Sequence, residues 1–318
     1  MNILRLYNIN NMIRYNSKEW FRNLFNFYKS YVLQTLFRYV LFSGLITAVL
    51  CVLIIEVIQP AMRLSSGFFS LLGIVLGILL VFRTNTAYDR WWEGRKQWGA
   101  LVNHARTLAI LLQSMLPDDD TQGRVFFAKH ISNFCIALKE HLRMGVKLDE
   151  LVLLTEEEKQ LYKNRVHVPN IIALQIFNRS ELMYRSGVLS EADMINLRPH
   201  ISALLNIMGA CERIKKTPIP FSYNVYIKVF ILAYCLILPF GLIDEFQYYT
   251  IPLVMFVFFA MAGVELIGEE IEDPFGLDCN DLPTGTIAAT IKNNVYEILC
   301  IYSEVEQNEK EVPFEKIF

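Results

Sequence analysis

Four stretches of the chain carry no charged residue: between Arg38 and Glu56, between Arg63 and Arg83, between Lys228 and Asp244, and between Glu245 and Glu265. Each holds about 15 to 19 residues, close to the roughly 20 needed to cross a hydrocarbon core of about 30 Å. The pattern predicts four membrane helices in two hairpins, the third lengthened upstream by Phe221, Val225, Tyr226 and Ile227. The second helix continues beyond its apolar stretch. From Gly67 to Leu116 there is no proline, and apolar residues keep helical spacing through Trp91, Trp92, Trp98, Leu101, Ala105 and Leu108. One helix of that length would run for about 75 Å at roughly 1.5 Å per residue, far beyond a bilayer. Pro117 and the acidic run Asp118–Asp120 end it.

Between the hairpins, Phe126–Leu142 has apolar positions at helical spacing and Thr155–Arg165 is mostly polar. Pro169 opens a further apolar helix through Phe177, and Glu191–Ile214 is helical in pattern, with Pro199 expected to break or kink it. Thr217-Pro218-Ile219-Pro220 separates this insert from the third span. No repeat, low-complexity tract or strand alternation appears. The fold class expected is an all-α membrane protein, with four transmembrane helices in two hairpins and a helical cytoplasmic insert. The pattern divides the chain into an N-terminal interfacial or cytoplasmic helix (1–36), a first transmembrane hairpin (37–85), a cytoplasmic helical region (86–220), a second hairpin (221–270) and a cytoplasmic C-terminal segment (271–318). Residues 1–30 mix charges with Trp20, Phe21 and Phe25 and lack a cleavable signal pattern. They read as an amphipathic helix, lying at the inner interface or packed on the insert.

Composition supports the membrane assignment: 53% of residues are hydrophobic, 19% are charged and mean hydropathy is +0.31, whereas a soluble domain has about a quarter of its residues charged. The net charge of −2 gives no basic bias towards nucleic acid. Lys and Arg crowd before the first span (Arg14, Lys18, Arg22, Lys29, Arg38) and after the second (Arg83, Arg90, Arg95, Lys96, Arg106). The link between spans one and two has only Arg63, and that between three and four has Asp244 and Glu245 but no Lys or Arg. The positive-inside rule then puts both termini and the insert in the cytoplasm of a multi-pass cell-membrane protein.

On the second helix, Ile74, Ile78 and Phe82 recur every four residues and form one narrow stripe. Such a stripe can face lipid or a neighbouring helix. Ser70, Gly73 and Gly77 beside it would let another helix approach closely, and the stripe could then line a dry constriction that controls ions by dewetting. Below it come Arg83, Thr84, Asn85, Thr86, Asp89, Arg90, Trp91, Trp92 and Glu93. These suit either a solvated surface with i,i+3 pairs such as Arg90–Glu93 or a widening vestibule. The fourth span ends in Glu265, Glu269, Glu270, Glu272 and Asp273. The helix dipole opposes carboxylates there, so they call for cationic partners, with Arg83, Arg90 and Arg95 as candidates, or for a bound ion.

The oxygen-rich segment Asp273–Asp281 suits a capped turn or a hard-cation loop without EF-hand spacing. The six cysteines are dispersed and form no C-x-x-C or Cys/His cluster, so neither a disulfide framework nor a zinc site is indicated. The five histidines are scattered along the second helix and the insert. No Walker A, G-x-S-x-G, H-E-x-x-H or Glu-x-x-His motif points to an enzyme.

Phe68–Gly77 followed by Phe82-Arg83-Thr84-Asn85-Thr86-Ala87-Tyr88-Asp89-Arg90-Trp91-Trp92-Glu93 resembles the bestrophins, especially their bacterial homologues. So do Pro218-Ile219-Pro220-Phe221-Ser222-Tyr223, Glu269-Glu270-Ile271-Glu272-Asp273-Pro274-Phe275-Gly276 and Asn280-Asp281-Leu282-Pro283, and the likeness spans roughly residues 15–305. The resemblance implies a homopentameric chloride channel-like protein with an axial pore whose hydrophobic neck is Ile74, Ile78 and Phe82. It also implies a second, cytoplasmic aperture near Pro169, at Ile171 or Ile172. Asp273, Asp278 and Asp281 take positions like those of the calcium-binding turn in animal members, but Leu277, Cys279 and Asn280 interrupt the acidic run. A structural turn is therefore set against a calcium site, and no other cofactor is expected. The partners expected are further copies of the chain, the lipid bilayer and permeant inorganic ions. Anions, or monovalent cations as in some bacterial relatives, are the candidate ions. A secondary transporter and a non-conducting membrane scaffold or regulator are the alternatives.

Overall fold

The computed structural model describes residues 12–13, 31–58, 66–278, 280–299 and 316–317. Most of the expected N-terminal helix, the first hairpin tip around Arg63, and Cys279 and Cys300 lie outside the described residues. The described chain is helical, apart from a two-residue antiparallel pairing of Met12–Ile13 with Lys316–Ile317. It divides into two compact units.

The first unit is built on Tyr15–Trp91 and Pro218–Asp273. It holds α1 (Tyr31–Val52), which continues as a π-helical turn over Leu53–Ile58, and the first half of α2 (Ser66–Met115). Then come α7 (Phe221–Ile237), α8 (Pro239–Phe246) and α9 (Thr250–Glu272), numbered after the intervening helices α3 to α6 of the other unit. Three stretches, Val32–Glu56, Gly67–Met115 and Phe221–Glu272, are long and apolar enough to cross a membrane. The third uncharged gap does not form one straight span. Pro239 lacks an amide hydrogen, so α7 ends at Ile237 and the chain restarts as α8, which closes at Gln247 with φ 46°. Pro252 sits in the first turn of α9, where a missing N–H costs little.

α9 packs along α1, and α7 and α8 pack against α9. The buried centre includes Leu36, Leu76, Leu80, Ile227, Val254 and Phe258. Gly241 allows a very close approach, because a Cβ there would fall 2.2 Å from the Phe69 ring. A larger residue would push Phe69 out of this core.

The second unit is built on Met1–Arg14, Trp92–Thr217 and Pro274–Phe318. The second half of α2 supplies Trp98, Leu101, Ala105, Leu108 and Leu112, all fully buried at spacings of three and four. The unit also holds α3 (Thr121–His141), α4 (Glu156–Lys163), α5 (Val168–Arg185), α6 (Glu191–Lys216) and α10 (Thr284–Ile298). α3 packs against both α5 and α10, and α5 against α6.

The helix ends follow from local sequence. The Asp120 side chain accepts from the Gly123 amide at α3. Thr155 with Glu158, and Ser190 with Asp193, close capping boxes at α4 and α6. Gly187, at φ 78°, lets the Val188 amide fold back onto Met183 O, 2.9 Å away, at the end of α5. One local expectation changes, and one is met. α6 runs through Pro199 without ending. At the end of α2, buried Arg124 donates to Pro117 O at 2.5 Å, Leu116 O at 3.2 Å and Gln113 Oε1 at 2.8 Å. These bonds satisfy carbonyls that a stop at Pro117 would otherwise leave without donors.

Candidate functional site

Ile74, Ile78 and Phe82 lie on the same face of α2 and are 61%, 52% and 60% exposed within the single chain. An α-helix brings residues four apart nearly into register, so the three make a continuous apolar strip along the membrane-type half of α2. The intervening face turns inward: Leu76 and Leu80 are buried in the core of the unit, and Arg83 is fully buried. The two neighbouring glycines have different surroundings. Gly73 faces α7, where a Cβ would meet the Tyr234 hydroxyl at 3.0 Å, while a Cβ on Gly77 would meet nothing within 4 Å. Close approach at Gly73 therefore serves packing within the chain.

The acidic end of α9 finds its cations in the same unit. Arg83 Nη2 donates to Glu272 Oε2 at 2.8 Å, the Ile219 amide donates to Glu272 Oε1 at 2.7 Å, and Arg90 Nε donates to the Glu272 carbonyl at 3.0 Å. Three motifs far apart in sequence thus close on one buried residue. Arg90 reaches the Glu272 carbonyl, as one of the cations the acidic end of α9 called for. Glu93 binds Lys96 at 2.6 Å and Gln97 at 2.7 Å. Lys228, which spacing did not single out, lies 2.8 Å from Glu269 and 3.6 Å from Glu265. Trp91 stacks on Tyr88 with centroids 6.2 Å apart, whereas Trp92 remains about half exposed.

In the second unit, Ile172 of α5 is fully buried and its neighbour Ile171 is half-buried. The turn after α9 is held by contacts of its own. Phe275 is buried within 3.1 Å of where a Cβ on Gly94 would lie, the Leu282 amide donates to Pro274 O at 2.9 Å, and Asp281 Oδ2 accepts from the Asp278 amide at 2.7 Å. α9 ends at Asp273, in the first unit.

Two clusters in the second unit went unread in the sequence. His104 and His200 approach at 3.0 Å between their Nδ1 atoms. His141, His167 and Glu212 bring two imidazole Nε2 atoms to 2.7 Å from a single carboxylate oxygen. Burial tends to raise the Glu212 pKa, but hydrogen bonds from His167, His141 and Lys216 outweigh it and bring the value down to about 2. Partners separated by 26 and 45 positions leave no local motif. Burial pushes the Cys135 and Cys211 thiols well above their ordinary range, the second to about 12. Neither behaves as a ready thiolate.

The family described as Bacterial/Fungal Bestrophin protein matches residues 11–297. This chain is a member of that bestrophin family. A voltage-dependent anion channel-forming protein of Nostoc is 34% identical over 301 residues, covering 92% of this chain and 95% of the relative. One from Synechocystis is 35% identical over 231 residues, covering 71% and 75%. A crystal structure of a bacterial bestrophin homolog from Klebsiella pneumoniae superposes with a TM-score of 0.78 at 29% identity, covering 83% of this bestrophin and 98% of that chain. The motifs that carried the resemblance are largely those that converge on Glu272 and on the Phe275 turn of this bestrophin.

Proposed function

We propose that this bestrophin is a passive ion channel rather than an enzyme, formed by five copies around an axial pore, and that it conducts anions. One observation carries the reading: a strip of three large apolar side chains, Ile74, Ile78 and Phe82, left open on the membrane-type half of a 50-residue helix. A monomer in lipid would gain nothing from placing that strip at a fixed register above a polar helix. Five copies of α2 would turn it inward as a dry neck that passes ions only when wetted. The relatives' role as anion channel-forming proteins favours anions over cations.

In this reading the Phe221–Glu272 stretch crosses the membrane twice, as α7 and α9, giving four spans. The protein sits in the cell membrane with both termini and the second unit on the cytoplasmic side, where Lys and Arg crowd. Ile171 rather than the buried Ile172 supplies the lower aperture. The turn at Asp278 and Asp281 acts as a capped turn, following the end of α9 at Asp273, and no calcium is required.

Purified protein in a planar bilayer under asymmetric KCl tests the proposal. Passive currents reversing towards the chloride equilibrium potential are expected, and Ile78→Ala or Phe82→Ala should raise conductance several-fold. Reversal towards the potassium potential would overturn the anion assignment alone. Saturable, stoichiometrically coupled flux, or no current at any voltage, would overturn the channel.

A further inference from the structure

We infer that His141, His167 and Glu212 form a binding site for a divalent transition metal, zinc being the best match in chemistry. The three side chains come from three elements of one unit. His141 is the last residue of α3, His167 caps the start of α5, and Glu212 lies in the last turns of α6. Both Nε2 atoms are 2.7 Å from Glu212 Oε1, and the ligand atoms all lie within 4.8 Å of one another. Among the described residues this is the only set of three His, Cys, Asp or Glu side chains that meets so closely.

The donor set decides the class of ion. Two imidazoles and one carboxylate suit zinc and its neighbours, whereas magnesium and calcium take oxygen ligands. Two His and one Glu with further positions open to water is also an arrangement found at zinc sites. Zinc bonds of about 2.0–2.1 Å in a tetrahedron place ligand atoms about 3.3 Å apart. Each 2.7 Å separation would therefore open by about 0.6 Å, which rotation of half-buried side chains provides.

In the metal-free arrangement one carboxylate oxygen takes both imidazole N–H groups while Lys216 holds the other oxygen at 3.3 Å. A metal replaces the two protons on Nε2. His167 must then carry its proton on Nδ1, giving up its 3.4 Å acceptance from the Asn170 amide. That contact is long and weak, so little opposes the change. The bound ion would tie α3, α5 and α6 together at one point. None of this depends on the channel reading.

The test uses full-length protein purified without a polyhistidine tag and stripped with chelator, then titrated with Co²⁺ and Zn²⁺ alone. The visible bands of four-coordinate Co²⁺ are expected at one ion per chain, abolished by Zn²⁺, and Zn²⁺ should raise the unfolding midpoint. Glu212→Gln, His141→Ala and His167→Asn should each weaken binding at least tenfold, since losing even an outer partner of a ligand costs about 10–100-fold. His167→Asn keeps a capping side chain, and His104→Ala should leave affinity unchanged. Folded wild-type protein that takes up no stoichiometric Zn²⁺ or Co²⁺ would overturn the site. So would wild-type affinity in the folded His167→Asn and Glu212→Gln variants.

Discussion

The two units sort the same kinds of side chain in opposite directions. In the first, Phe37, Phe42, Leu45, Ile74, Val81 and Phe256 face outward, while Arg83 and Glu272 are buried together. In the second, Trp98, Phe127, Ile131 and Phe134 are fully buried, and pairs such as Lys159–Glu156 and Arg185–Glu181 lie at the surface. The difference reflects the solvent. Water drives apolar area inward, whereas lipid tails are as apolar as Leu and give no such drive, leaving packing and polar satisfaction to hold helices together. Each unit should therefore fail in its own way.

The largest effect should come from the buried pair of the first unit. Arg83→Met strands the Glu272 carboxylate and should cost about 3–5 kcal/mol, seen as loss of the monodisperse peak in detergent chromatography. Adding Glu272→Gln should restore part of it, and an unchanged peak in the single variant would break the contrast. Next, Phe134→Ala should cost about 3–5 kcal/mol by opening a cavity in the second unit. Phe42→Ala, on the outward face of the first, should cost under about 1 kcal/mol because the residue is exposed and leaves no cavity. Equal losses in thermal unfolding monitored by circular dichroism would contradict the comparison. Smaller again, Thr155→Ala removes the capping box of α4 and should cost about 1 kcal/mol, read as a lower midpoint for the second unit.

The smallest effect is a pH dependence of the second unit. Burial first, and the nearby His104 charge second, lower the pKa of His200 below its ordinary 6.5. The neutral form is favoured when folded, so this contribution is present above about pH 6.5 and is lost as pH falls through it. The unfolding midpoint should drop between about pH 7.5 and pH 5.5, and His200→Asn should flatten that slope. A slope unchanged by the substitution would remove His200 from the account.

Much of the architecture was legible because it depends on short-range periodicity. The spacing of Trp98, Leu101, Ala105 and Leu108 predicts both the long helix and the face it buries, and the Ile74, Ile78 and Phe82 strip follows from the same rule of four. The uncharged gaps gave the apolar stretches, but not the interruption at Pro239, where a single missing N–H outweighs composition. The carboxylates of α9 called for cations without saying which. The sequence offered Arg83, Arg90 and Arg95, of which Arg83 and Arg90 meet Glu272, while Lys228 and the Ile219 amide came into view only when α7 packed against α9.

The sequence by itself determined where helices run, which stretches are too apolar for water and which family motifs are present, because these depend on neighbours within a few residues. The tertiary structure alone decided which partner each buried charge receives, that Ile172 rather than Ile171 is buried, and that His141, His167 and Glu212 share one point. Those outcomes depend on chain segments tens of residues apart being packed to within about 3 Å, the range over which hydrogen bonds act. No local pattern encodes such a distance.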